Sequence, residues 1–200
     1  MTGEGGEPAE TGLPDLGDAW LLVVDPQRIF ASPEESPWGS PMFESIVEPL
    51  HRLAGALGPD RTVITRWLPG QARPGAWAEY FAAWPFADRP PSDQVFDLVA
   101  DLRGRTAHPT LDQPTFGKWC PELIDRVGAT PTLLLTGVST DCCVLSTALP
   151  AADSGARVVV VTDACAGSTP QNHGAALTVL GLYPPQITLA TSAEVLAALG

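Results

Sequence analysis

Basic residues are scarce in this chain of 200 residues: lysine occurs once, at Lys118, and arginine only brings the total to eleven, against twenty-three aspartates and glutamates. A formal charge of -12 and a pI near 4.4 repel phosphate backbones and anionic bilayers, so neither nucleic acid nor a membrane surface is expected as a partner. Long apolar runs are missing as well, and none approaches the roughly 20 residues of a membrane-spanning helix. The opening MTGEGGEPAE has neither a basic region nor an apolar segment, so no secretory leader is expected. The four cysteines, at 120, 142, 143 and 165, form no CxxC pair and no zinc spacing with the three histidines. That pattern fits a reducing, cytoplasmic interior better than a disulfide scaffold, and no metal or other cofactor is expected. Internal repeats are absent. A small-molecule ligand is the remaining expectation.

What is present reads as one domain. Residues 1–18 hold acidic side chains, no basic one and little to bury, and are expected to form a flexible acidic tail ahead of a domain over 19–200. Ala19 to Val24 and Arg61 to Arg66 read as buried strands, and Thr110 to Asp112 as a short third one. Leu133 to Leu135, Arg157 to Val161 and Ile187 to Leu189 read as the remaining three. Between them the spacing predicts helices over Pro41 to Leu57, from Pro121, over Asp141 to Ala152, over His173 to Leu182 with Asn172 as cap, and over Ser192 to Leu199. This alternation predicts an α/β fold: a single-domain, doubly wound, mostly parallel six-stranded sheet of order 3-2-1-4-5-6 with helices on both faces.

The chain is organised around TPTLLLTGVSTDCCVLSTA, residues 130–148, where a buried strand passes through Gly137 toward a helix with two cysteines near its start. Thr140 or Asp141 could cap that helix, and its exposed amides would stabilise a thiolate or an oxyanion. The alternative is that Cys142 and Cys143 are small buried apolar residues. In the expected sheet the first and fourth strands are neighbours, and ligands bind at the crevice beyond their carboxyl ends. Asp25, at the end of the first strand, would face the cysteines across it and could exchange a proton with a thiol, or else cap local amides. Residues 67–86, WLPGQARPGAWAEYFAAWPF, are too aromatic for an ordinary loop and read as a pocket wall or a subunit interface. Phe30, Trp67 and Trp77 are the candidate wall residues, with ordinary core packing open for each.

LLVVDPQRIF resembles the first catalytic segment of the isochorismatase-like cysteine hydrolase family, and LLLTGVSTDCCVLSTALPAADSGARVVVVTDA resembles its nucleophile segment. With the TRW segment and the spacing between them, the resemblance covers roughly residues 19–190. It implies Cys143 as nucleophile with Cys142 its variable neighbour, Asp25 as proton carrier, and a cis peptide between Val138 and Ser139. It also implies an oxyanion hole from the backbone amides of Ser139 and Cys143. The third member of the family's catalytic triad is a lysine, and relatives place it where this chain has Gln113. Lys118 lies five residues later, so either Lys118 reaches the site or Gln113 acts as a neutral hydrogen-bonding substitute. Metal-holding nicotinamidases of the superfamily carry an Asp-x-His pattern where this chain has Trp67 and Pro69. The implied activity is therefore metal-independent cleavage of an amide, carbamoyl or related C–N bond of a small molecule through a covalent thioester. An isochorismatase-type vinyl ether hydrolase and a non-catalytic member that has lost the usual lysine are the other readings. The resemblance further implies a homo-oligomer, a dimer or tetramer.

Overall fold

The computed structural model describes residues 12–200, so the first eleven residues of the expected acidic tail lie outside the described residues. The part of that tail which is described does bury a side chain. Leu16 packs into the core, and its carbonyl accepts from Ala19 N at 3.0 Å just before the first strand. Two leucines, Leu13 and Leu16, among proline, glycines and aspartates are too few to make a periodic pattern, which is why their packing does not show in the sequence.

The elements alternate as expected: β1 (Trp20–Val24), α1 (Arg28–Ala31), α2 (Phe43–Leu57), β2 (Thr62–Trp67), α3 (Trp77–Ala83), β3 (Leu111–Gln113) and α4 (Pro121–Val127) make the first half. β4 (Thr132–Val138), α5 (Leu145–Asp153), β5 (Arg157–Ala166), α6 (Pro170–Leu180), β6 (Ile187–Ala190) and α7 (Ser192–Leu199) make the second. Six strands form one sheet in the order β3-β2-β1-β4-β5-β6, and every neighbouring pair is parallel. Alternate residues of the central strands feed two cores. Leu21, Val23, Leu134, Val159 and Val161 pack with α2 and α7, while Leu22, Val24, Leu133, Leu135, Val158 and Val160 pack with α4, α5 and α6. Burial on both faces explains the unbroken apolar runs WLLVV and RVVVV.

Several boundaries differ from expectation, β4 running on to Val138 and α5 starting only at Leu145 among them, and two have reasons in the neighbouring residues. β5 continues past Val161 to Ala166, because after a register shift between Leu135 and Gly137 the strand pairs again, Gly137 with Cys165 and Val138 with Ala166. The small buried Ala164, Cys165 and Ala166 allow this. α6 starts at Pro170 rather than His173: Thr169, not Asn172, is the cap, its Oγ1 accepting from Asn172 N at 3.1 Å. Proline in the first helical position costs no hydrogen bond, so Thr-Pro is the better start signal.

The order reverses between β1 and β4, and the carboxyl ends of those two strands lie side by side. Val24 is paired with Gly137 at that edge, which sets Asp25 and Ser139 at the mouth of the same crevice.

Candidate active site

The residue after β1, Asp25, has φ +47°, a left-handed conformation that aspartate tolerates better than most residues. Thr65 of β2 holds it there, with its Oγ1 accepting from Asp25 N at 3.0 Å and donating to Asp25 Oδ1 at 2.6 Å. The other carboxylate oxygen, Oδ2, lies 3.0 Å from Lys118 Nζ, and both side chains are fully buried. That contact is an ion pair without hydrogen-bond alignment, so Oδ2 keeps no hydrogen-bond partner. Lys118 Nζ directs a hydrogen bond to Thr115 O at 2.9 Å instead.

Lys118 comes from the segment between β3 and α4, and that segment is fastened to the nucleophile turn. Gly117 lies against Ser146, where a Cβ would come within 2.6 Å of the backbone oxygen. Lys118 N donates to Thr147 Oγ1 at 2.9 Å, and the same hydroxyl donates to Cys143 O at 2.7 Å. One threonine thus sets lysine and cysteine relative to each other.

Between β4 and α5 the chain makes a π-helical turn, Thr140–Val144, entered through a cis peptide between Val138 and Ser139. Ser139 O accepts from Cys142 N at 3.0 Å and from Val144 N at 3.1 Å, and the amide of Cys143 between them does not bond to it. Neither expected cap is one. Asp141 accepts from Ser168 N and Ser168 Oγ, both at 2.7 Å, which ties the turn to the end of β5, and Thr140 Oγ1 bonds His173 Nδ1 at 2.8 Å. The two adjacent thiols are shifted in opposite directions, Cys142 below and Cys143 above an ordinary cysteine. The adjacent Cys142 sulfur, burial and the charge of Asp25 together push the Cys143 thiol well above an ordinary cysteine, against the opposing pull of Lys118.

The turn opens on a cavity of about 300 Å³. Ser139, Cys142 and Cys143 form its reactive end, Asp141 and Ser168 one side, and aromatic rings most of the rest. Of the three candidate wall residues Phe30 and Trp67 line it and Trp77 does not, and Gln113, the possible substitute for the lysine, does not line it either. Trp77 packs behind the wall, its ring centroid 5.3 Å from Tyr80 and 5.0 Å from Phe116. Gln113 ends β3 beside Trp67, and its backbone oxygen accepts from Leu68 N. Lys118, not Gln113, meets Asp25. Trp38, Tyr80, Trp84 and Phe116 line the cavity without having been singled out. Tyr80 and Trp84 are one helical turn apart in the aromatic segment, a signal that was legible; Trp38 and Phe116 stand alone in loops. Thr65, Thr147 and Gln27 were equally invisible, since each acts through partners remote in sequence. Gln27 accepts from Trp67 N at 2.7 Å and donates to Trp67 O and Phe96 O, fixing the end of β2 under the cavity. No histidine lines the cavity: His108 bonds Asp60 O and His173 bonds Thr140. Among the described residues no three His, Cys, Asp or Glu side chains are grouped as metal ligands would be, and no helix is long and apolar enough to cross a membrane.

The isochorismatase domain model matches residues 19–194. The chain belongs to the isochorismatase family. Solved structures with this fold include a cysteine hydrolase from Pseudomonas syringae pv. phaseolicola, at 17% identity and TM-score 0.77, with 94% of each chain covered. An isochorismatase-like hydrolase from Alkaliphilus metalliredigens aligns at 18% identity and TM-score 0.71 over 91% of this chain and 96% of that one. N-carbamoylsarcosine amidase from Thermoplasma acidophilum aligns at 20% identity and TM-score 0.67, covering 87% and 96%.

In this isochorismatase-family chain the Thr147 hydroxyl makes a specific expectation. Thr147→Val leaves the buried Lys118 amide without an acceptor, which is expected to lower stability by about 1–3 kcal/mol. Thr147→Ser keeps both bonds and is expected to stay within about 1 kcal/mol of the parent in urea denaturation. Equal losses for the two variants would assign the effect to packing instead.

Proposed function

We propose that this protein is a metal-independent cysteine hydrolase that cleaves an amide, carbamoyl or related C–N bond of a small molecule. What supports the reading is that Asp25, at the end of β1, pairs with the buried Lys118 behind the cavity, while Cys143 lines that cavity in the turn after the neighbouring β4 and is joined to Lys118 through the Thr147 hydroxyl. Cys143 Sγ attacks the substrate carbonyl carbon while its proton passes to Asp25 Oδ2, the carboxylate oxygen left without a hydrogen bond. Lys118 stays beside the carboxylate and offsets the negative charge that moves onto sulfur. The developing oxyanion is received by the backbone N–H groups of Ser139 and Cys143, the second of which the π-turn leaves unbonded to Ser139 O.

Collapse of the tetrahedral species breaks the C–N bond, and the nitrogen leaves with the proton held on Asp25. The acyl group remains as a thioester on Cys143. Water then attacks it, giving a proton to Asp25, and the acid departs as that proton returns to the sulfur. The raised thiol is consistent with this order, since proton removal and attack are coupled and no free thiolate is required beforehand.

A panel of amides, ureido compounds and lactams assayed for ammonia or amine release is expected to yield a substrate. Cys143→Ala should then lower its turnover by at least about a thousandfold. A substrate whose turnover survives Cys143→Ala would remove the cysteine from the reaction.

A further inference from the structure

The cavity in front of Cys143 has an unusual balance of surfaces. Phe30, Trp38, Trp67, Tyr80, Trp84 and Phe116 supply aromatic walls. Trp38 is at their centre: it meets Trp67 at 77°, Trp84 at 59° and Tyr80 at 35°, with centroids 5.4–5.9 Å apart, and lies nearly parallel to Phe30, at 8° and 6.1 Å. Rings packed on one another at different angles present both faces and edges to the cavity rather than one flat slot.

The charge of the lining is equally one-sided. Asp141 is the one ionisable carboxylate among the lining residues, and no arginine or lysine lines the cavity. Ser168 donates to both Asp141 oxygens without neutralising them. The cations on neighbouring elements are committed elsewhere. Arg28 pairs with Glu35 at 2.9 Å, Arg73 pairs with Asp88 at 2.6 Å and lies 3.8 Å over the Phe81 ring, and Lys118 is locked to Asp25. A carboxylate-bearing substrate would therefore lose its water to a cavity with no cation to receive it, and would meet Asp141 as a like charge. A cation meets the opposite conditions. Aromatic faces attract it, Asp141 complements it, and the charge of -12 raises its local concentration.

From this lining we infer that the substrate is a small amide whose non-reacting end is a quaternary or protonated amine, held in the aromatic box while its carbonyl faces Cys143. The inference deepens the hydrolase reading and rests on it for the position of the carbonyl. At about 300 Å³ the cavity stands at the small end of ligand pockets, so the body attached to the cation is short.

Binding to the full-length Cys143→Ala protein tests this without any turnover, so that failure here and failure of the hydrolase reading are separate results. Calorimetric titration would compare three amides of similar size: betaine amide, its neutral carbon isostere tert-butylacetamide, and anionic malonamate. Betaine amide is expected to bind at least about tenfold tighter than the isostere, and malonamate at least about tenfold weaker than the isostere. Trp84 is 41% exposed, so Trp84→Leu should fold normally and shrink the ratio between betaine amide and its isostere by about threefold or more. Equal binding of betaine amide and tert-butylacetamide, binding of malonamate at or above the isostere, an unchanged ratio in Trp84→Leu, or binding of none of the three would each overturn the inference.

Discussion

Lys118→Met is expected to lower stability by about 3–5 kcal/mol, a fall in Tm on the order of 10 °C for a chain of this length. No other side-chain change in the site is expected to approach it in cost. Both partners of the 3.0 Å contact are fully buried, and with the ammonium gone the Asp25 carboxylate keeps only the Thr65 hydroxyl as a side-chain partner. The stranded charge, more than the lost attraction, sets the size of the effect, because a buried pair returns little beyond its own desolvation. Adding Asp25→Asn removes that charge, and asparagine also tolerates the left-handed backbone at position 25. The double variant is therefore expected to recover most of the lost stability while remaining inactive. Thermal unfolding of the two singles and the double, with turnover of whichever amide the panel finds, separates the structural from the catalytic part. If the double variant is no more stable than Lys118→Met, the ion pair is not what the lysine contributes.

The fold was legible in this sequence because its strands are buried on both faces. Runs such as WLLVV and RVVVV can hardly be anything else, and proline or glycine punctuates the helices between them. Asp25 was legible for a related reason, since it directly follows a strand whose place in the sheet could be derived, whereas the choice of Cys143 over Cys142 came only from the resemblance to the isochorismatase-like cysteine hydrolases. Lys118 was harder. It follows a strand of three residues and is brought inward only by Gly117 and Thr147, through contacts with a helix some thirty positions later in the chain. The state of the Cys143 thiol could not be read at all, because it depends on burial and on the distance to Asp25, neither of which a one-dimensional pattern carries. The turn is π-helical, and the neighbouring Cys142 sulfur and burial raise the Cys143 thiol there. The cavity wall was half legible. An aromatic-rich segment signals a surface that something must cover, but which rings face inward is decided by α3 and by loops whose course no periodicity sets.

Gly137→Ala is expected to be at least as damaging as any change to the proposed catalytic groups. Gly137 has φ +101°, a conformation that costs an alanine about 1–3 kcal/mol. A Cβ there would also stand 2.2 Å from Val24 O and 2.6 Å from Val24 N. Those atoms belong to the backbone of a central strand and cannot rotate aside, so β1 and β4 would have to separate at the edge that carries Asp25 and leads into Ser139. The two costs together exceed about 4 kcal/mol, a large share of the roughly 5–15 kcal/mol by which a typical domain is stable. Gly174→Ala is the matched control. It lies inside α6 with open space where its Cβ would go, and exchanging a helical glycine there should add about 0.5–1 kcal/mol. The pair of substitutions is the same in chemistry and opposite in expected sign, so urea midpoints and soluble yield distinguish a demand for close strand approach from a general sensitivity to alanine. A Gly137→Ala protein with the parental midpoint would mean that β1 and β4 can part at that edge without loss, and then Asp25 and Cys143 are not held together by the sheet.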